Sequence, residues 1–430
     1  MKDTLDIWPL LPIVITVDNY RETWNTDNIN MALEHNDRIR ELRFQRVTGS
    51  QLGNIFKLAA VQQPFPVLTH LELRALYHTW PEMTPVIPAS FLGGSAPLLQ
   101  SLWLDFILFP ELPKLLMSAT QLVDLRLWRI PHSRYISPEG IVTSLALLTS
   151  LKTLHIGFEF RDPSRLRPYQ KSRCPFSSTR VLPVLTELMF KGANEYLEEL
   201  VTQIDTPLLN NLHITLLDQP IFDTPQLMQF ISRTPKFKAH NKACVDFSDV
   251  GASVILPQSF DGELELGISG LLSSRLLLSL AQLCRSSCCQ TLIPAVEHLY
   301  IIKSKRSGLC WQGLIQSSQL LEFLHHFTAL KDLRVSSEFA PHVSSALQKL
   351  VRESVTEVLP ALQTIFLEET PTSGLVIGQF VAARRFANHP ITISHWERSG
   401  MTLTSDYRYI MFMFGVIYYL LVVILTICVE

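Results

Sequence analysis

One short apolar phrase recurs along this 430-residue chain, and it constrains the fold more than any other feature. It reads apolar-x-x-apolar-x-apolar, with leucine in most of the slots. It stands at Leu68, Leu71, Leu73; Leu99, Leu102, Leu104; Leu122, Leu125, Leu127; Leu151, Leu154, Ile156; Leu185, Leu188, Phe190; and Leu209, Leu212, Ile214. After a blurred stretch it returns at Val296, Leu299, Ile301; Leu330, Leu333, Val335; and Leu362, Ile365, Leu367, while a weaker copy, Ile39, Leu42, Phe44, precedes them all. In the unbroken run, successive starts lie between 23 residues (Leu99 to Leu122) and 34 residues (Leu151 to Leu185) apart. The last two apolar positions of each phrase are two apart, so they share one face of a strand.

That is the period and pattern of a leucine-rich repeat. Helix signals fill the gaps. Ser137-Pro138-Glu139 supplies a cap, a proline at the first helical position and an early acid. Thr224-Pro225 does the same ahead of Leu227, Met228, Phe230 and Ile231, and Asn194 is expected to cap a helix carrying Tyr196, Leu197, Leu200 and Val201. Further helices are predicted over 50–61, 274–284, 317–327, 342–355 and 374–387. Each unit is then a short strand, a crossover helix and a return to a parallel strand. Strands are predicted at 42–44, 71–73, 102–104, 125–127, 154–156, 188–190, 212–214, 299–301, 333–335 and 365–367. The expected fold class is α/β: an irregular solenoid, or horseshoe, with parallel strands on the concave face and helices on the convex face. The turn asparagine of the usual repeat is missing. Its positions hold Leu76, Ile107, Ile130, Glu159, Ala193 and Leu217, which predicts uneven curvature.

Two segments break the rhythm. Residues 161–180 carry six basic residues and one acid without apolar patterning, as a solvated loop would. Its only stacking aromatics are Tyr169 and Phe176, so no nucleic-acid partner is expected. A net charge of −2 adds no bulk attraction to nucleic acid or acidic lipid. Residues 237–268 hold three short alternating runs, Ala243–Phe247, Ser253–Leu256 and Glu263–Ile268, readable as degenerate repeats or extra strands.

The seven cysteines form no C-x-x-C pair and read as buried reduced thiols; Cys284 and Cys288 lie four apart in a helical pattern. No phosphate loop, H-E-x-x-H or G-x-S-x-G occurs. Gly93-Gly94 reads as a turn. His325-His326 is read on a helix, where neighbours diverge. Glu198-Glu199 and Glu368-Glu369 read as solvated faces. The expectation is a chain that is not an enzyme, with no catalytic residues, no cofactor and no metal.

What remains is the concave surface. The residues interleaved with the buried positions face outward, and equivalent ones form columns across strands about 4.8 Å apart. The middle column holds Arg43, Glu72, Trp103, Arg126, His155, Met189, His213, Tyr300, Arg334 and Phe366. Trp103, Arg126 and Trp128 should be neighbours, and tryptophan and arginine are the types most enriched at binding hot spots. The candidate face for an unknown protein ligand comprises Trp103, Asp105, Asp124, Arg126, Trp128, His155, Met189, His213, Tyr300, Arg334 and Phe366. An equal alternative is that the tryptophans are covered by the 161–180 loop or by an end of the chain.

The two ends read differently. Lys2, Asp3 and Asp6 precede a short apolar run broken by Pro9 and Pro12, which is no signal peptide. From Tyr409 to Val429 there is no charged residue. As a helix that segment is about 31 Å long, matching a bilayer's hydrocarbon core. The expected organisation is a repeat solenoid over 1–398, a linker over 399–408 and a candidate transmembrane helix over 409–429. The repeats would be cytosolic or nuclear, or tail-anchored to an intracellular membrane. The alternative for 399–430 is translated non-coding sequence.

The words around the repeats carry a resemblance. LDIWPLLPIVI, ALEHNDRI, PASFLGGSAPLLQSLWLD, LPKLLMSATQLVDLRLWRIPHSRYISPEG, EYLEELVTQIDTPLL, FDTPQLMQFISRTPKFKAH and the closing ISHWER resemble a large family of mushroom-forming fungi, F-box proteins with C-terminal leucine-rich repeats. The resemblance covers roughly residues 5–398. It implies the substrate-recognition part of a cullin-type ubiquitin ligase receptor, in which an F-box grips the ligase adaptor and the repeats select the target. That F-box should precede LDIWP and is expected to be missing here, so the adaptor is a partner only if an F-box is supplied upstream. The alternative is a tail-anchored protein that displays the repeats at a cytosolic membrane face with no ligase role.

Overall fold

The computed structural model describes residues 11–18, 26–76, 84–131, 136–159, 179–217, 223–237, 241–248, 251–257, 262–269, 276–285, 292–303, 316–353, 358–368 and 373–397. The 409–429 segment and most of the 161–180 segment lie outside them, as do all the cysteines except Cys244 and Cys284, which are buried. Among the described residues, no helix is long and apolar enough to cross a membrane.

Among the described residues, seventeen strands follow in chain order: β1 (Ile13–Asp18), β2 (Ile39–Val47), β3 (His70–Ala75), β4 (Ser101–Asp105), β5 (Asp124–Ile130), β6 (Thr153–Phe158), β7 (Arg180–Val181), β8 (Glu187–Gly192), β9 (Ile204–Asp205), β10 (Asn211–Leu217), β11 (Lys242–Ser248), β12 (Gly251–Pro257), β13 (Glu263–Ser269), β14 (His298–Lys303), β15 (Asp332–Val335), β16 (Thr364–Leu367) and β17 (Thr392–His395). Fifteen form one sheet, ordered β1-β2-β3-β4-β5-β6-β8-β10-β13-β12-β11-β14-β15-β16-β17, and β7 and β9 pair separately. All ten strands expected from the leucine phrase are present and share the large sheet. From β2 to β10 and from β14 to β16, neighbours pair in parallel and in the register of the phrase. The edge strands β1 and β17 carry no complete leucine phrase and escape sequence reading.

The blurred stretch folds into three strands and corrects the expectation of parallel strands throughout. After β10 the chain skips ahead to β11, which pairs in parallel with β14. It then doubles back through β12, antiparallel to both β11 and β13, and β13 closes on β10 in parallel. The meander therefore fills the gap left by the skip, and no sheet edge is exposed within it.

Ten α-helices accompany the sheet among the described residues: α1 (Thr26–Leu33), α2 (Gly49–Phe56), α3 (Leu112–Ser118), α4 (Pro138–Leu145), α5 (Asn194–Gln203), α6 (Pro225–Arg233), α7 (Leu276–Arg285), α8 (Ser317–Leu324), α9 (Ala340–Glu353) and α10 (Ser373–Phe386). Successive helices touch from α3 to α6 and from α7 to α10, and α7 also packs on β12 and β13. The inward leucines of the strands and the apolar stripes of the helices make one core that runs from Ile15 to Ile391. This is the strand-and-helix architecture of a leucine-rich-repeat solenoid.

Local details depart from the sequence reading. Ser137 caps α4 through its hydroxyl, which accepts the Gly140 N–H at 3.1 Å, as expected. Thr224 makes no side-chain cap. The Glu198 carboxylate, expected to be solvated, does that work from α5 and accepts the N–H groups of Gln226 at 2.9 Å and Leu227 at 2.8 Å. Ala193 takes the cap position expected of Asn194, whose amide instead donates to the Asp223 carbonyl at 2.6 Å. The helix predicted over 50–61 ends at Phe56, followed by a short 3-10 turn at Ala60–Gln62. Helix α8 ends at Leu324, so His325 and His326 lie beyond it rather than on it. Gly93 and Gly94 do form a turn, within a 3-10 segment. Gly93 has a φ of +64°, and a Cβ there would meet Pro64 at 2.9 Å.

Without an asparagine ladder, successive repeats are tied by main chain. Leu76 N–H donates to Val47 O at 2.8 Å and Glu159 N–H to Ile130 O at 2.9 Å.

Candidate functional site

The sheet face away from the helices carries the columns predicted from the sequence. Arg43, Glu72, Trp103, Arg126, His155, Met189 and His213 are consecutive register partners from β2 to β10. Tyr300, Arg334 and Phe366 are partners from β14 to β16. The meander of β11, β12 and β13 separates the two runs.

In the first run, Trp103 lies between two guanidinium groups. The Arg74 Cζ is 4.5 Å from its ring centroid and the Arg126 Cζ is 5.3 Å away. Both arginines also meet an acid two residues back on their own strand: Arg126 Nε to Asp124 Oδ1 at 2.9 Å, and Arg74 Nη1 to Glu72 Oε1 at 3.6 Å. The period-2 alternation puts each acid and arginine on the same face. The Trp103 indole Nε1 is buried without a hydrogen-bond partner among the described residues.

Two expectations need correction. Asp105 faces this side but is 5% exposed, held under Arg129 by bonds of 2.5 and 2.7 Å, so it is not an open contact residue. His155 and His213 are also buried, each against a glutamate: His155 Nε2 to Glu187 Oε1 at 2.9 Å and His213 Nδ1 to Glu265 Oε2 at 2.9 Å. Trp128 stands in register with Asp105, two residues along from the Trp103–Arg126 pair. Its ring meets His155 at 5.8 Å and lies over Gly157, where a Cβ would fall 2.2 Å from Trp128 Cε3. Trp128 also borders an apolar cavity of about 280 Å³ with Leu104, Phe109 and Ile130. Asp124, Arg126, Trp103, Trp128 and Met189 are half-buried, as residues of a packed but open sheet face should be. Beside Met189, Lys191 is desolvated, and burial pulls its ammonium pKa below the ordinary 10.5.

In the second run the Arg334 guanidinium is 4.4 Å from the Phe366 centroid and 4.9 Å from that of Tyr300, and donates to the Tyr300 hydroxyl at 3.1 Å. Next to it lies a small apolar cluster separate from the main core. Cys244, Ile255 and Ile302 are buried there, with Tyr300 and Trp396 packed on them. Ile302, two residues after Tyr300 on the same face, is 2% exposed. Trp396 covers this patch from just beyond β17: its ring meets Tyr300 at 6.1 Å and its Nε1–H donates to Val335 O at 3.2 Å. Most of the 161–180 loop and both ends of the chain, the covers expected as the alternative for Trp103 and Trp128, lie outside the described residues.

The chain matches no family model and no curated protein sequence. Among solved structures it is similar to the crystal structure of the TLR13–ssRNA13 complex, at 13% identity and a TM-score of 0.34. The match covers 92% of this chain and 47% of that one, so this chain spans about half the length of that structure. At that TM-score the likeness adds nothing to the fold described above.

Proposed function

We propose that this chain is a non-catalytic protein-binding repeat scaffold whose helix-free sheet face takes a protein partner around Trp103, Arg126 and Trp128. The observation that carries the reading is the Trp103 stack. A large aromatic ring is held rigid between two arginines on a sheet face that no described helix covers. Aromatic and arginine anchors supply most of the energy at protein interfaces.

The resemblance to fungal F-box proteins with leucine-rich repeats supports a finer version: the target-selecting part of a ubiquitin ligase receptor, with the ligase adaptor joining only through an F-box supplied upstream. The uncharged 409–429 segment favours a second reading, in which the repeats are displayed at the cytosolic face of a membrane.

Proximity labelling with the full-length chain, followed by affinity measurement on the captured protein, tests the proposal. Trp103→Ala and Arg126→Ala should each weaken binding about tenfold or more, equivalent to about 1.4 kcal/mol. Unchanged affinity in a folded variant lacking both side chains and Trp128 overturns it.

A further inference from the structure

The arginines of the columns differ in one respect. Arg43 meets Glu41, Arg74 meets Glu72 and Asp105, and Arg126 meets Asp124. Arg334 makes no ion pair among the described residues. Glu41 and Asp124 stand two residues before their arginines on the same strand, and Asp332 holds that place for Arg334. Its carboxylate is drawn instead to His298 on the neighbouring strand, with Oδ2 2.8 Å from Nδ1. Glu368, on the other side, accepts the Ser337 N–H at 3.3 Å. Asp246, in register with Ile302 on β14, and Glu397, beyond β17, make no ion pair with Arg334 either.

We propose that Arg334, between Tyr300 and Phe366, receives the carboxylate of an aspartate or glutamate that lies beside an apolar residue in a protein partner. The proposal rests on the reading of this chain as a protein-binding scaffold, but not on the Trp103 site. Three features support it. First, the cation is positioned before anything binds. Its guanidinium lies 4.4 Å from the Phe366 centroid and 4.9 Å from that of Tyr300, and it donates to the Tyr300 hydroxyl at 3.1 Å. Trp396 backs Tyr300 in turn and is itself tied to the Val335 carbonyl. A side chain already held in place loses little freedom on binding. Second, the group is reachable and its charge is not neutralised by contact. Arg334, Tyr300, Phe366 and Trp396 are all half-buried, and most of the guanidinium N–H donors have no acceptor among the described residues. Third, the charge fits a carboxylate. A planar guanidinium matches one carboxylate with two parallel N–H···O bonds. A phosphate dianion calls for further positive charge, whereas the adjacent His298 is joined to Asp332 and Lys242 lies two strands away. The partly exposed rings beside Arg334 favour an apolar neighbour next to the acid.

The test uses the full-length chain on an array of short peptides, each with one aspartate or glutamate beside a leucine or phenylalanine. Each peptide has two twins, one with the matching amide and one with phosphoserine in place of the acid. Acidic peptides should be retained and their amide twins lost. For the strongest peptide, Arg334→Met should weaken binding in solution about tenfold or more. Arg334→Lys should restore only part of it, because an ammonium neither stacks nor donates in a planar pair. Thermal unfolding verifies that both variants are folded. Trp103→Ala should leave peptide affinity unchanged, which separates this site from the one centred on Trp103. Binding lost in Trp103→Ala but kept in Arg334→Met supports that other site and overturns this one. Equal retention of acidic and amide peptides, stronger retention of the phosphoserine twins, retention of no peptide, or full affinity in folded Arg334→Met also overturns it.

Discussion

Arg129 grips Asp105 from the neighbouring strand with two hydrogen bonds, of 2.5 and 2.7 Å, and does so from a left-handed backbone conformation with a φ of +48°. The strand is irregular here: its register with β6 shifts between Leu127 and Ile130. The same arrangement occurs at Arg46, with a φ of +54°, which reaches back to Asp18 across a register shift between Phe44 and Val47. A non-glycine residue in this conformation costs about 1–2 kcal/mol. The two-pronged charged contact offsets that cost; at Arg129 it also pairs a buried carboxylate, whereas Asp18 is exposed.

Arg129→Ala should therefore destabilise the fold by about 2–3 kcal/mol, because it leaves Asp105 buried beside only the more distant Arg74, while alanine keeps the backbone strain. Arg129→Gly should recover about 1 kcal/mol of that loss, since glycine adopts the conformation freely. Urea denaturation of the three proteins checks both. Equal midpoints for the alanine and glycine variants would mean the backbone relaxes out of this conformation.

Leu125→Asp should cost several kcal/mol or prevent folding. Leu125 is fully buried in the core, and an unpaired carboxylate there is desolvated. The adjacent Asp124→Ala should change stability by no more than about 1 kcal/mol, because it removes only a half-exposed ion pair with Arg126. Comparable denaturation midpoints for the two variants would reverse the assigned face of β5.

Glu198→Ala should cost about 1–2 kcal/mol although the residue is polar and partly exposed. Its carboxylate satisfies two N–H groups at the start of α6, where negative charge also meets the positive end of the helix dipole. Amide hydrogen exchange should localise the effect, with faster exchange at Gln226 and Leu227 than in the helices further along.

Lys191 sets a pH dependence. Burial lowers its pKa in the folded chain below the ordinary 10.5. Between the lowered value and 10.5 the unfolded chain binds more protons than the folded one, so stability attributable to this group rises with pH through that window. Below the window the penalty is present in full. Lys191→Met should raise the denaturation midpoint at neutral pH, and its advantage should shrink as pH approaches 10.5. A difference between the two proteins that stays constant across the alkaline range would assign the effect to packing rather than charge.

Much of this was legible in the sequence because leucine spacing and strand geometry share one periodicity. Leu71 and Leu73, or Leu125 and Leu127, mark a buried face two residues at a time, and the residues between them had to form the opposite face. The Trp103–Arg126 pairing followed from counting positions, whereas the nearer guanidinium, that of Arg74, came from outside the column. Other features left no periodic trace. The β1 and β17 strands sit at sheet edges with partly exposed faces, so they lack the full leucine phrase. Glu198 became a cap because the helix it caps begins 27 residues later on the neighbouring repeat, a distance that no local pattern records. The shielding of Tyr300 by Trp396 joins residues almost a hundred positions apart.

The sequence by itself determined the repeating strand-and-helix unit, its register and which side chains point away from the helices, since these depend on local periodicity and on the burial of leucine. Only the tertiary structure decided the order of β11, β12 and β13. Their alternating patterns fix faces but not neighbours, and backbone hydrogen bonding alone selected the partners. That choice brought Glu263 and Glu265 beside His213, fifty residues earlier in the chain. In the order of the chain, β11 would have been the first strand to follow β10, with Lys242 and Cys244 at the equivalent register positions. The histidine's glutamate partners are set by how the chain turns back on itself.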